Sequence, residues 1–185
     1  MPQAWILPQA WRRVVERLQA NGVNMTAIPR DTTMLLEVTW IESFTSASRP
    51  YEGHHPVTVD SIRTELVPVD LYAGDWVIPS NQRAKRYLTE VLSPRGHDAF
   101  LVWNFFDAAL QRKEYYSSYV FEDTAEDMLR NDENLRTRYT LAQAKHPEWA
   151  ENPSLALRWL YEQSPHNEGT ANRHPVYAVP ASTQP

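Results

Sequence analysis

The chain of 185 residues contains no cysteine. Disulfides, thiolate zinc sites and cysteine nucleophiles are therefore excluded. Glycine is also scarce, with 5 residues against 14 prolines, and most of the prolines stand where a periodic segment stops. Proline therefore divides this chain into its structural elements.

Long apolar runs and clustered basic residues are absent as well. No stretch reaches the roughly 18 apolar residues of a membrane span, and the N-terminus lacks the pattern of a secretory signal, so we expect neither feature. Lys and Arg are scattered and the net charge is −5. The basic surface that nucleic-acid and anionic-membrane binders use is missing, so we expect no nucleic-acid partner.

The first part of the chain predicts one helix and then strands. Apolar residues at helical spacing predict a helix over 9–21. Alternating apolar and polar residues predict strands over 34–44 and 57–69. The alternation of the second strand shifts phase at Asp60-Ser61, which indicates either a β-bulge or two strands that meet at a bend. These segments predict an antiparallel sheet.

The remaining elements are a turn, two short strands and a series of helices. The predicted turn covers 72–75, and the short strands cover Trp76–Pro79 and Pro175–Val179. Helices are predicted over 80–92, with Ser80 or Asn81 as the N-cap, and over 98–111, 122–130, 132–145 and 154–163. Residues 164–174 are predicted to form a loop.

The fold class predicted from these elements is α+β. An antiparallel β-sheet over about 34–79 packs with the N-terminal helix and with a C-terminal helical half. We expect a single domain over 1–179, β-rich over 25–79 and helical over 80–163. Residues 180–185 are expected to form a tail.

A polar loop between Pro50 and Pro56 holds Glu52, His54 and His55, with Asp60 nearby. Imidazoles and a carboxylate suit acid–base or metal chemistry. However, adjacent histidines on a strand point to opposite faces, and the chain has no His-x-x-Glu array. We therefore favour a surface turn whose polar groups satisfy the loop backbone, without metal or catalysis, and keep Glu52, His54 and His55 as candidate binding residues.

His97-Asp98 forms a second pair of a histidine and a carboxylate. It could belong to a triad with Ser93 as nucleophile. Ser93 lacks the Gly-x-Ser-x-Gly context of an exposed nucleophile, so we favour Asp98 as the N-cap of the helix predicted over 98–111. No residue of the chain is predicted to be catalytic.

Aromatic residues are densest between residues 98 and 122, which form either the centre of the fold or a surface that meets a partner. In the predicted helix, Trp103 and Phe106 share the face expected to be buried. Phe105 lies off that face and needs another neighbour. Phe105, Tyr115 and Tyr116 are therefore further candidate binding residues.

Several short motifs spread over nearly the whole chain resemble one known group of proteins. The motifs are Trp5-Ile-Leu-Pro8, Gly22-Val23, Pro50-Tyr-Glu-Gly-His54, Gly74-Asp-Trp-Val-Ile-Pro79 with Gln82, Trp103-Asn-Phe-Phe106, Glu114 through Glu122, Ser164-Pro165 and His174-Pro-Val176. They resemble the C-terminal region of zinc carboxypeptidase-like proteins of the carboxypeptidase A superfamily. None of the zinc ligands or the catalytic glutamate of that superfamily has a matching residue here.

The resemblance implies a non-catalytic accessory domain that supports the folding, the substrate cleft or the interactions of a metallopeptidase. It implies a zinc carboxypeptidase catalytic domain as partner, in cis or in trans, with a peptide substrate as a further partner. Zinc is expected only in that peptidase domain, and no cofactor in this chain. The parent protein is expected to be an exported bacterial enzyme, periplasmic or secreted. The alternative is an independent small hydrolase or metal-binding protein that uses the Glu52, His54 and His55 loop.

Overall fold

The computed structural model describes residues 1–111, 116–167 and 169–181. Its internal contacts divide the chain into two compact units, Met1–Arg112 with Ala171–Pro185, and Lys113–Thr170. We call them the sheet unit and the helical unit. The fold class is α+β, as predicted. The predicted single domain over 1–179 stays a prediction, and most of the predicted tail 180–185 lies outside the described residues.

The sheet unit contains an antiparallel sheet in the order β2-β5-β1-β6-β3-β4. Two helices and a 3-10 helix accompany it. The strands are β1 Ala4–Leu7, β2 Thr26–Ala27, β3 Thr32–Ser46, β4 Val57–Leu71, β5 Trp76–Pro79 and β6 Tyr177–Val179. The helices are α1 Arg12–Ala20 and α2 Lys85–Leu92, and the 3-10 helix is Asp107–Leu110.

The hairpin of β3 and β4 decides between the two alternatives for the phase shift in favour of a β-bulge. Ile41 pairs with Ile62, and the next pairs are Ser43 with Ser61 and Phe44 with Val59. Glu42 and Asp60 are therefore the extra residues on the two strands, and the bulge explains the phase shift read at Asp60-Ser61. It lets the apolar residues on each side of it remain on faces that are buried.

Apolar side chains pack on both faces of the sheet. Alternate residues of a strand point to opposite faces, so Trp5 and Leu7 join one cluster while Ile6 joins the other. The first cluster includes residues of α1 and α2 and the fully buried Phe106. The second gathers Leu36 and Val38 of β3 with apolar residues of β4 and β6.

The predicted helix over 98–111 is wrong. Residues 100–106 form consecutive turns after a separate turn at His97-Asp98, and only Asp107–Leu110 is helical, as a 3-10 helix. Asn104 adopts the left-handed backbone conformation with φ of 64°, and the N–H of Phe105 donates to the carbonyl oxygen of Phe100 at 2.9 Å. A left-handed residue ends helical hydrogen bonding, so tertiary packing overrides the aromatic periodicity.

This change also alters the predicted core. Phe106 is fully buried, as predicted, and Phe100 is buried beside it. Trp103 is only half-buried, so its prediction as a core residue is wrong. A turn does not place residues i and i+3 on one face in the way a helix does.

The predicted N-cap of α2 is also wrong. The helix begins at Lys85, after Ala84, rather than next to Ser80 or Asn81. The buried Ser80 hydroxyl instead donates to the carbonyl oxygens of Pro2 and Gln3, at 2.7 and 2.8 Å. Ser80 therefore joins the end of β5 to the start of the chain.

The helical unit contains α3 Ser118–Asn131, α4 Glu133–Lys145 and α5 Pro153–Glu162, with a 3-10 helix over Pro147–Ala150. The helices predicted over 122–130, 132–145 and 154–163 are confirmed, although α3 begins four residues earlier. The core of the helical unit contains Phe121, Ala125, Leu135 and Leu160. Across the described part of the chain, we find no helix with the length and apolar character of a membrane span.

Candidate functional site

The polar loop with Glu52 forms a tight turn at the tip of the β3–β4 hairpin. Tyr51 and His54 exchange backbone hydrogen bonds of 2.7 and 2.9 Å, and between them Glu52 and Gly53 have φ values of 50° and 78°. Two left-handed residues in a two-residue loop are the signature of a type I′ turn. Glycine takes this conformation without strain, whereas Glu52 does so at a cost.

The turn is attached to the aromatic segment 98–106. The rings of Tyr51 and His54 lie against Trp103, with centroids 6.2 and 5.7 Å away. The side-chain amide of Asn104 accepts from the N–H of His55 at 3.0 Å and donates to its carbonyl oxygen at 2.9 Å. The half-buried Trp103 therefore serves as a platform for the hairpin tip.

The three candidate residues of the loop do not converge on one point. Glu52 and His55 are exposed, and His54 is half-buried against Trp103. The His55 ring donates from Nδ1 to the carbonyl oxygen of Ala47 at 2.8 Å. Among the described residues, no group of three or more His, Asp or Glu side chains is placed to hold a metal ion.

A groove of about 560 Å³ lies beside the first residues of β4. We call it the β4 groove. Its lining consists of Tyr51, Pro56, Val57, Thr58, Val59, Pro94, Arg95, Gly96, His97, Asp98, Val102 and Trp103. At one end the N–H of Val57 donates to the carbonyl oxygen of Val102 at 3.0 Å. At the other end Arg95 Nη2 donates to the carbonyl oxygen of Asp60 at 2.6 Å.

The second predicted pair, His97 and Asp98, lies on the rim of this groove, where both side chains are exposed. Asp98 caps no helix, so that prediction is wrong; its N–H donates to Glu90 Oε1 at 3.2 Å. Ser93 Oγ accepts from the N–H of Arg95 at 3.3 Å. The geometry therefore uses Ser93 and Asp98 to shape the segment 93–98 and assembles no triad with His97.

Gly96 permits this segment to approach α2 closely. A Cβ atom at position 96 would overlap the backbone carbonyl oxygen of Glu90. The position therefore requires glycine for space rather than for an unusual backbone angle. The wall of the β4 groove depends on this close approach.

His174 is a buried titratable group that the sequence did not mark as a candidate. Its ring donates from Nε2 to the carbonyl oxygen of Leu92 at 3.0 Å and lies edge-on to Phe106 at 5.4 Å. Nδ1 has no hydrogen-bond partner among the described residues. Burial disfavours the charged imidazolium and lowers the pKa of His174 to about 4, although the bond to Leu92 opposes this. No signal in the local sequence marks this burial.

Two of the other aromatic candidates, Phe105 and Tyr116, are engaged in packing. Phe105 lies against Phe100 at 5.1 Å, and the Arg13 guanidinium lies 5.2 Å from its ring centroid. Tyr116 stacks on Tyr161 at 4.2 Å within the helical unit. Tyr115 lies outside the described residues. The binding role of all three stays a prediction.

The helical unit has a cavity of its own, of about 470 Å³. Its lining includes Tyr139, Trp149, Glu122, Gln143 and His146. Trp149 is stacked by the His146 ring at 5.1 Å on one side and by Tyr139 at 6.0 Å. The indole is consequently occupied by intramolecular packing.

Comparison with known proteins finds similarity to fungal carboxypeptidases. Carboxypeptidase 2 of Trichophyton tonsurans is 29% identical over 101 residues, which cover 54% of this chain and 18% of that protein. Carboxypeptidase 2 of Trichophyton rubrum is 28% identical over a stretch of the same length. Probable carboxypeptidase 2 of Arthroderma benhamiae is 30% identical over 84 residues, 15% of its length.

The similarity marks a carboxypeptidase-related region. It corresponds to the C-terminal part of those fungal proteins and spans less than a fifth of their length. The expected bacterial origin is not supported, because these relatives are fungal. No protein-family profile matches the chain. No solved structure matches it either.

Proposed function

We propose that this chain is a non-catalytic accessory region of a zinc carboxypeptidase, which supports the folding or the substrate handling of the catalytic domain. The observation that carries this proposal is the similarity to the C-terminal part of the fungal carboxypeptidases described above. The sequence supports it, since it contains no His-x-x-Glu array of the kind that binds catalytic zinc in that superfamily.

The sheet unit offers a surface suited to such a role. The hairpin tip at Tyr51 and His54 is held against Trp103, and the β4 groove opens beside it. Tyr51 is 62% exposed and Trp103 half-buried, so both rings remain accessible to a partner. Partly exposed aromatic side chains on a rigid support are typical anchors of protein interfaces.

The test uses Carboxypeptidase 2 of Trichophyton tonsurans in three forms: the whole protein, a form without the segment that this chain matches, and a form in which this chain replaces that segment. We expect removal to lower the melting temperature and the rate of peptide cleavage, and replacement to restore both in part. The present chain alone is expected to cleave no peptide.

Addition of the separate chain to the shortened enzyme provides an independent measurement. A partner that binds only the folded enzyme stabilises it by about 2.7 kcal/mol when its concentration is one hundred times the dissociation constant. Peptide cleavage by the chain alone would contradict the proposal. So would a shortened enzyme with unchanged stability and activity.

A further inference from the structure

A short part of the outer edge of the sheet, on β4, faces the β4 groove and is not covered by another strand. β4 is an outer strand, and its N–H at Val57 points away from β3 because it donates to Val102. Alternate residues of a strand direct their backbone groups to the same side, so Val59 also presents its N–H and carbonyl oxygen to the groove. Outside the β3–β4 pair, Val59 has no hydrogen-bond partner in the described part of the chain.

Both ends of this free edge are closed. The carbonyl of Val102 occupies the position beside Val57, and the Arg95 side chain occupies the position beside Asp60. Two residues of strand remain between these points, a length of about 7 Å. A strand that passes along β4 does not fit into such a gap, whereas the end of a chain does.

The charges of the groove select the type of chain end. Arg95 donates to a backbone carbonyl and forms no ion pair with any described carboxylate. That bond orients the guanidinium and leaves its other N–H groups free for a carboxylate. Asp98 is the acidic side chain of the lining and repels a bound anion. Removal of its charge should therefore strengthen binding of a carboxylate, whereas removal of the Arg95 charge should weaken it.

The apolar surface determines which last residue would fit. Val57, Val59, Val102 and the Trp103 ring form the apolar part of the lining. The volume of about 560 Å³ lies in the usual range for ligand sites and accommodates one or two residues.

We propose that the β4 groove binds the last one or two residues of a polypeptide whose C-terminal residue is apolar, and that the preceding chain leaves the groove away from the strand edge. The carboxylate binds Arg95, the backbone pairs with Val59, and the last side chain packs on Val57 and Trp103. The recognition combines pairing of a single residue with the sheet edge and capture of a chain terminus. It rests on the proposed function to the extent that a carboxypeptidase region would meet polypeptide C-termini.

The experiment measures binding of acetyl-Gly-Leu-Phe with a free carboxylate to the whole 185-residue chain, without any peptidase. Amide NMR of the labelled chain should show the largest shifts at Val59 and its neighbours. The same peptide with a C-terminal amide should bind at least about tenfold more weakly, since it loses a charge-assisted hydrogen bond.

Three variants test the roles of the charges. Arg95→Gln should weaken binding of the free acid about tenfold and abolish the preference for acid over amide. Asp98→Asn should strengthen it a few-fold, because it removes a like charge. The control is Arg12→Gln, which removes an exposed arginine at the start of α1 and should change binding less than twofold.

Equal binding of acid and amide would overturn the proposal, as would shifts that map elsewhere or an unchanged Arg95→Gln variant. If acetate competes as well as the peptide does, the groove is a simple anion site, and this result would also overturn the proposal. Melting temperatures of the variants separate misfolding from lost contacts, and Asp98→Asn keeps the test valid if Arg95→Gln fails to fold. The binding experiment contains no carboxypeptidase. A negative result would therefore contradict peptide binding in the β4 groove and would not bear on the accessory function, which is tested separately.

Discussion

At the scale of single residues, Phe106 and Trp103 differ in burial although their spacing in the sequence predicted one shared buried face. Phe106 is fully buried among the side chains of the first cluster, whereas Trp103 lies half-buried under the hairpin tip. We expect Phe106→Ala to lower the free energy of unfolding by about 3–5 kcal/mol. Trp103→Ala should cost less than that, because part of its surface already meets solvent.

Guanidinium unfolding of the whole chain measures both changes. Phe106→Leu is the matched control, since it keeps most of the apolar volume and should cost clearly less than Phe106→Ala. Equal losses for Phe106→Ala and Trp103→Ala would contradict the burial described above.

The buried imidazole of His174 makes stability depend on pH. In the unfolded chain the imidazole has its ordinary pKa near 6.5, and in the folded chain burial lowers the pKa to about 4. The unfolded state therefore takes up a proton first as the pH falls. The contribution of His174 is complete above pH 6.5 and is lost between pH 6.5 and 4, by up to about 3 kcal/mol.

His174→Gln isolates this contribution, because its side-chain N–H can still donate to Leu92 but does not titrate. The difference in unfolding free energy between the original chain and this variant should change by up to about 3 kcal/mol across that window. A difference that stays constant from pH 7 to 4 would show that His174 titrates normally in the folded state.

At the scale of elements, the hairpin tip contains strain that a substitution can relieve. Type I′ turns favour Asn-Gly, and Glu52 occupies the first left-handed position. We expect Glu52→Asn to raise the stability of the sheet unit by about 0.5–1 kcal/mol, measured by thermal unfolding. Glu52→Gln removes the same charge without a left-handed preference, so it should bring no gain.

Both variants are also informative about function. Backbone strain in a non-glycine residue persists at functional positions more often than elsewhere. If Glu52→Asn stabilises the chain and weakens its effect on the carboxypeptidase, the side chain of Glu52 contacts the partner. A stable variant with an unchanged effect would assign Glu52 to the turn alone.

At the scale of the whole molecule, zinc content decides between the accessory function and the alternative of a metal-binding loop. We expect the purified chain to carry far less than one zinc ion per molecule, because Glu52, His54 and His55 do not converge. Elemental analysis after dialysis against zinc measures this.

The loop variant His54→Asn with His55→Asn is compared with His146→Asn, an exposed histidine of the helical unit. Stoichiometric zinc that disappears in the loop variant and persists in His146→Asn would establish the alternative function. Zinc lost equally from both would indicate weak surface binding.

Much of the secondary structure follows from local sequence. Helix α1, strands β3 to β6 and helices α4 and α5 agree with the predicted segments, and the bulge appears at the phase shift of β4. These features depend on periodicity, proline positions and turn residues within a few neighbours of one another. The short strands β1 and β2 were missed, since four and two residues carry too little pattern.

The tertiary structure decided the remaining features, because each depends on groups far apart in the chain. The bond of Arg95 to Asp60 spans 35 residues, and that of His174 to Leu92 spans 82. Such contacts turn the aromatic segment away from a helix, bury one imidazole and open the β4 groove. Local sequence determined which elements form, whereas long-range packing determined which side chains meet, since only burial against distant partners outweighs local preference.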